Sequence, residues 1–376
     1  MIAKIYSEEN ESLFIALERI KNYVFSDFDT FDFLIISLSP KYDADLVNSL
    51  IKKIFKTENY LAFNALSAFN DCNIVNGVTV CVIKFENKGK LSTYLIEGLS
   101  EDSAKKLANY FSKKRDNLNI MLSTFSNGEM GYFIEKVSSY LDFTPVNNII
   151  GGITSGEIIG DEFRSYIYSD NKLIKDGCAI LTFENIDFAI DISLGFVNYG
   201  ITYRITKAKD NKIYEVDNKP FSPIIKDILK GINDFDIKYL WYVPINILDE
   251  ENGYVATLRT IKDFDEEKVE FFGPVKEGQR FRMSFATYEN LLNEDSKIAN
   301  NIKNKLGIPD LIFNFSCIAR EYLLEDKKEL ENKVYIKTLN SHLFGFFTFG
   351  EIGPDKKYRK LKLYNETSLL LGVKEK

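Results

Sequence analysis

An α+β fold, built as two packed lobes of mixed, largely antiparallel β-sheet flanked by helices, follows from three features of the sequence. Short continuous apolar runs alternate with stretches whose apolar residues recur at helical spacing. Between residues 147 and 216 the texture changes to brief strands separated by turn residues, the mark of antiparallel pairing. At 376 residues the chain exceeds one ordinary core, yet it has no Pro-rich or Gly/Ser-rich linker, so lobes at 1–220 and 221–376 would meet at a tight joint near Asn218, Pro220 and Ser222.

Taken in order, residues 8–24 place Leu13, Ala16, Leu17, Ile20 and Val24 on one helical face. FDFLIISLSP (31–40) reads as a buried strand stopped at Ser-Pro, and DADLVNSLIKKIF as the helix after it. VTVCVIKFE and STYLIEGL read as neighbouring strands, EDSAKKLANYFSKKR as an acid-started helix, and NIMLSTFS with NGEMGYFIEKVSSYL as another strand and helix. NNIIGGITSGEI, RSYIYSDNKLI, DGCAILTFE, IDFAIDISLGF, ITYRITKAK and KIYEVD then form one largely antiparallel sheet, with a hairpin at Ser169-Asp170-Asn171. A helix at 222–232, strands YVATLRTI and RFRMSFA, a long helix near 287–306, strand LIFNFSC, a helix near 321–332 and strand LFGFFTFGE complete the chain.

Composition narrows the function. The 45% hydrophobic and 27% charged residues describe a globular protein. A net charge of −7 with interspersed signs argues against nucleic-acid binding, which needs clustered Lys and Arg. Cys72, Cys81, Cys178 and Cys317 form no CxxC pair and His342 is the single histidine, so neither a structural zinc site nor any other metal or cofactor is expected. No apolar stretch reaches the ~18 residues of a membrane span and the start lacks a signal core. A cytoplasmic protein with free thiols is expected.

Two constellations carry chemistry. TSGEI (154–158) and TFGEI (348–352) agree at four of five positions, each after an apolar strand, which points to a pseudo-duplicated element. Gly156 and Gly350 permit close approach, and Glu157 and Glu351 either accept hydrogen bonds from a ligand or bind turn amides of their own loops. In LIFNFSCIAR, Ser316 and Cys317 end a strand and Arg320 follows on a helix start, where Cys317 is either an anion-stabilised thiolate or a small buried hydrophobe. Arg320 and Glu351, with Thr348, suit the two poles of a zwitterion, or each other. Of 30 Phe and 21 Tyr, most are needed for the core; Tyr203 and Phe347 are the aromatics assigned to a ligand. GGITSGE lacks the Gly-Lys-Ser/Thr ending of a phosphate loop.

FNFSCIAR, HLFGFFTFGEIGP and YNETSLLL together resemble the C-terminal half of FIST domains, whose pattern is an apolar strand, Ser-Cys-x-x-Arg and later Gly-Phe-x-x-x-Gly-Glu-Ile. DNKLIKDGCAILTF and the stretch from SLGFVNYG to KPFSPIIKDIL resemble the end of the family's N-terminal half. FNALSAFND (63–71) departs from it, lacking the Gly-Glu of the family's first loop. The resemblance implies a bacterial sensory module, not an enzyme, that binds a small amino-acid-like ligand and signals through an output domain, either separate or removed by truncation. A ligand-free interaction scaffold and a cysteine-dependent enzyme are the competing readings.

Overall fold

The computed structural model describes residues 1–126, 129–230, 236–249 and 253–376. Its larger lobe consists of three successive units of one plan. The first runs β1 (Ile2–Glu8), α1 (Leu13–Asp27), β2 (Phe33–Leu38), α2 (Ala44–Phe55), β3 (Tyr60–Asn64), β4 (Ala68–Asn70), β5 (Asn73–Val75) and β6 (Val78–Lys84). The second runs β7 (Lys90–Glu97), α3 (Glu101–Lys113), β8 (Leu118–Ser123), α4 (Glu129–Tyr140) and β9 (Ile149–Ile153). After a projecting hairpin, β10 (Glu157–Ile159) and β11 (Glu162–Arg164), it closes with β12 (Ile167–Ser169), β13 (Lys172–Ile174) and β14 (Gly177–Glu184).

The third unit opens with β15 (Ile186–Ser193) and is interrupted by the smaller lobe. That insertion holds β16 (Val197–Lys209), β17 (Lys212–Val216), β18 (Lys219–Pro220), α5 (Ser222–Ile228), β19 (Ile245–Leu248), β20 (Val255–Arg259), β21 (Ile261–Phe264), β22 (Val269–Phe271) and β23 (Arg280–Phe285). The unit resumes with α6 (Tyr288–Leu306), β24 (Leu311–Cys317), α7 (Ile318–Leu324), α8 (Leu330–Leu339), β25 (Leu343–Thr348), β26 (Glu351–Pro354), β27 (Leu361–Tyr364) and β28 (Ser368–Glu375).

The three sheets have matching strand orders: β1-β6-β2-β3-β12-β13, β7-β14-β8-β9-β26-β27 and β15-β28-β24-β25-β4-β5. In each, the central pair is parallel (β2·β3, β8·β9, β24·β25) and the other pairings are antiparallel. Each unit lends its short hairpin to another unit's sheet, and the exchange closes in a ring. Asn64 N donates to the Tyr166 carbonyl (2.9 Å), Ile153 N to Gly350 (2.8 Å) and Phe347 N to Ser67 (3.1 Å). The inner faces meet in one core around Phe63, Leu122, Phe313, Phe315, Phe344 and Phe346, with α1 and α2, α3 and α4, and α6 and α8 covering the outer faces.

The α+β class and two packed lobes of mixed, mostly antiparallel sheet are therefore present, and the internal repeat is threefold rather than twofold. The third copy escaped recognition because the corner after β3 reads Ala65-Leu66-Ser67-Ala68 and carries no Gly-Glu. Helix ends follow their caps: the Ser12, Asp43, Ser100 and Thr287 side chains accept from backbone N–H groups of the first turn.

Three expectations need correction. VTVCVIKFE and STYLIEGL (β6 and β7) are not neighbours but lie in different sheets, because the Glu375 carboxylate takes the N–H groups of Glu86, Asn87 and Gly89 and holds the connection open. The strands between 147 and 216 do not form one sheet; they are shared among the three sheets and the insertion. The helix near 321–332 is two helices, broken where Glu325 takes a positive φ of 51°. Residues 231–232 of the 222–232 helix and 127–128 before α4 lie outside the described residues.

The insertion is one curved sheet around Ile205, Phe221, Leu240, Ile261, Phe271 and Phe281, with α5 against it. The joint read near 218–222 lies inside this insertion, between β18 and α5.

Candidate functional site

Period-two alternation along β24 turns Phe313 and Phe315 into the central core and Asn314 and Ser316 toward α6 and α8. On the helix side lies a buried polar network, in which Arg320 Nη1 alone of the guanidinium nitrogens has no hydrogen-bond partner among the described residues. Arg320, fully buried, donates through Nη2 to both Asp295 oxygens at 2.8 Å and through Nε to Glu331 at 2.6 Å. Burial opposes its charge, but Asp295 and Glu331 more than offset that and raise its pKa. Tyr335 donates to Asp295 at 2.9 Å, and Asn314 donates to Glu331 and Asn332. Arg320 thus pairs with two carboxylates of its own lobe, Asp295 and Glu331, rather than with Glu351.

Glu351 is also fully buried. Its Oε1 faces the Thr348 hydroxyl, while Oε2 accepts from Thr367 N (3.2 Å) and Oγ1 (2.7 Å). Burial lifts its carboxyl to about 8, with those bonds and Arg320 pulling the other way. Glu366 stands beside it, accepts from Thr260 of the insertion at 2.8 Å and is likewise raised to about 8 by burial. Cys317 begins the seven-residue α7, and burial, with Glu351 and Glu366, pushes its thiol well up, so an anion-stabilised thiolate is replaced by a protonated, 5% exposed one. Ser316 is buried, its Oγ without a partner among the described residues.

Gly350 has φ +151° and a Cβ there would stand 3.1 Å from Leu363, so its close neighbour is the protein itself. Phe347 packs edge-on against Phe69, away from solvent, and Tyr203 stacks on Phe281 in the insertion. Gly156 and Glu157 start the β10–β11 hairpin, where a Cβ on Gly156 would meet the Arg164 carbonyl at 2.0 Å. Glu351 pairs in register with Gly152, and the residue that pairs with the equivalent Phe63 is Ile167, not Glu157. Thr154 and Thr348 are therefore structural counterparts and the two glutamates are not. The structure brings Ser316, Cys317, Thr348, Gly350 and Glu351 together with Arg320, sets Phe347 in register with Ser316 on the adjoining strand, and leaves Gly156, Glu157 and Tyr203 elsewhere.

An open site lies at the seam of the lobes. A groove of about 800 Å³ runs between α4, the free edge of β27 and the insertion's β19, β20 and Pro274–Gln279. A second, of about 920 Å³, lies between β20, α6 and the β26–β27 loop, and the two share Asp249, Ala256 and Lys362. Among the described residues, Lys136, Arg259, Lys276, Lys360 and Lys362 line the first groove against only Glu135 and Asp249.

Arg259 crosses the seam. It is 6% exposed, and its Nε and Nη1 reach only neutral acceptors: Pro274 O (3.0 Å), Thr257 Oγ1 (3.0 Å), Leu258 O (2.9 Å) and Leu363 O (3.1 Å). Glu135, the carboxylate whose field bears on it, is held by Lys276 at 2.8 Å. Burial without a carboxylate contact lowers the guanidinium pKa to about 10. Lys362, also without an ion pair among the described residues, is lowered by burial, with Arg259 and Lys360 pushing the same way. The Tyr132 hydroxyl on α4 is buried with no partner. Buried charges are ordinarily neutralised in place, and among the described residues neither Arg259 nor Lys362 has a carboxylate in contact.

Sequence reading missed these residues. The signals were a lone arginine inside the apolar YVATLRTI and five basic residues in the eight of DKKYRKLK (355–362), in a chain otherwise acidic. No helix among the described residues is long and apolar enough to cross a membrane, and no cluster among them has the donors of a metal site.

Comparison with known proteins agrees with the resemblance carried by these motifs. Residues 32–219 match the FIST N domain and residues 226–354 the FIST C domain. An uncharacterized protein of Aquifex aeolicus (strain VF5) is 36% identical over 261 residues, which cover 66% of this chain and 96% of that protein. The chain belongs to the FIST family, whose domains are sensory domains of signal-transduction proteins.

Proposed function

We propose that this chain is a cytoplasmic sensory module that binds a small carboxylate, an amino acid or a relative of one, in the seam between its lobes and passes the event to an output partner. The observation that carries the reading is Arg259: a guanidinium buried at the seam, with no carboxylate contact, in a groove large enough for a metabolite. It takes the role that the motif had assigned to Arg320. Binding at a seam also supplies a signal, because a ligand touching α4, β27 and β20 at once favours one arrangement of the two lobes.

Binding rather than catalysis is supported by the state of the one strand-end thiol, which is protonated and enclosed. Thermal unfolding against a panel of amino acids and small carboxylates tests the reading. A saturating ligand at about 100 times its Kd adds roughly 2.7 kcal/mol of stability. Stabilisation by at least one compound, lost in Arg259→Gln and kept in Glu157→Gln, is expected. No stabilisation by any of them, or stabilisation unaltered in Arg259→Gln, overturns it.

A further inference from the structure

Resting on the seam as the ligand site, we infer that its occupant is a small dianion, a dicarboxylate or a phosphate monoester, with Arg259 and Lys362 each meeting negative charge and Tyr132 donating a hydrogen bond. One carboxylate leaves the site half-neutralised. Arg259 has four hydrogen bonds, all to uncharged oxygens, so its positive charge is unmet. Lys362 stands on β27 opposite Gly353, half-buried, where both grooves meet, and the acids that bear on it are engaged elsewhere: Asp355 accepts from the Lys357 and Arg359 N–H groups of its own turn, and Asp249 is paired to Lys357 at 3.4 Å.

Two cations held near one another, each without a carboxylate in contact, repel and are costly to desolvate. A monoanion relieves one of them. An anion of charge −2 relieves both, and the Tyr132 hydroxyl, without a partner among the described residues and kept protonated by burial and by Asp210 and Glu135, adds a neutral donor for a further oxygen. Exposed Lys136 and Lys360 at the rim of the same groove add a field that draws such an anion in.

Calorimetric titration of the full chain with succinate, glycerol phosphate, succinamate and acetate tests this. A dianion should bind at least about tenfold more tightly than its monoanionic analogue, with one factor of ten for the second charge met. Lys362→Gln should reduce that preference to near unity by weakening the dianion far more than the monoanion, and Tyr132→Phe should weaken every anion by a few-fold. Far-UV circular dichroism matching the wild type shows that each variant is folded. Tighter succinate or tighter glycerol phosphate each supports the inference and tells the two sources apart. Equal binding of succinate and succinamate, or a preference that survives Lys362→Gln, overturns the dianion and leaves the carboxylate reading standing. Binding of phosphate alone supports the dianion and overturns the carboxylate, and no binding by any anion overturns both.

Discussion

Glu351→Gln asks whether burial keeps the strand-end carboxyl neutral. The Thr348 hydroxyl lies against both Glu351 Oε1 and, at 3.3 Å, the Ser316 carbonyl, and it has one proton for the two. An un-ionised Glu351 removes the conflict. Its own O–H donates to Thr348 Oγ1, the Thr348 proton goes to Ser316, and Oε2 still accepts from Thr367. Glutamine repeats that set, with an Nε2–H in place of the O–H.

The rise from 4.5 to about 8 corresponds to roughly 5 kcal/mol, at about 1.4 kcal/mol per pH unit. The sign follows from which state holds the proton. Below pH 4.5 both states hold it; between 4.5 and about 8 the unfolded chain releases it while the folded one keeps it, so stability falls as pH rises. Glutamine has no proton to lose. Urea unfolding followed by circular dichroism at about pH 5 and about pH 8.5 should find the variant close to wild type at the lower pH and more stable by several kcal/mol at the higher. Glu366, raised to about 8 by its own burial, leaves a residual slope in the variant. A difference between the two proteins that does not change with pH, or a variant that loses several kcal/mol at pH 5, would refute the neutral carboxyl.

The remaining expectations concern the other motif residues. Arg320→Met leaves Asp295 and Glu331 buried without their cation, so it should cost about 3–5 kcal/mol in urea unfolding; a loss under about 1 kcal/mol would mean that the network is not closed. Iodoacetamide should modify half-buried Cys72 first and reach Cys81, Cys178 and Cys317 only on unfolding, as peptide mass mapping would show; early labelling of Cys317 would return it to the reactive thiols.

Local pattern placed the strands that announce themselves by an apolar run, such as β2 and β24, and the helices opened by a capping side chain, such as α1, α3 and α6; uncapped α7 and α8 read as one helix. Which sheet a strand joins was not readable. The hairpin β4–β5 leaves its own unit for a strand 274 residues later, paired as Phe344 with Asn70, and no periodicity encodes a partner at that distance. Misreading the repeat as twofold has the same origin. Backbone bonds define the third copy, Ser39 N to Gly77 O at 2.9 Å standing where Thr124 N meets Gly177 O and Cys317 N meets Thr367 O, and side chains at those corners are free to differ.

The motif drew attention to Arg320, and not to Arg259, for a physical reason. Arg320 sits in a recognisable Ser-Cys-x-x-Arg run because a buried ion-pair network needs its members at fixed positions along β24, α7 and α8. Arg259 needs only a strand that crosses the seam, and nothing near it in sequence reports that Leu363 and Pro274 will lie alongside. A charge with no partner becomes visible only once the carboxylates of the described residues have been placed. That is why the proposed anion site rests on the assembled fold, while the strand-end corner, which explains the motif, is explained in turn by the packing of the third unit.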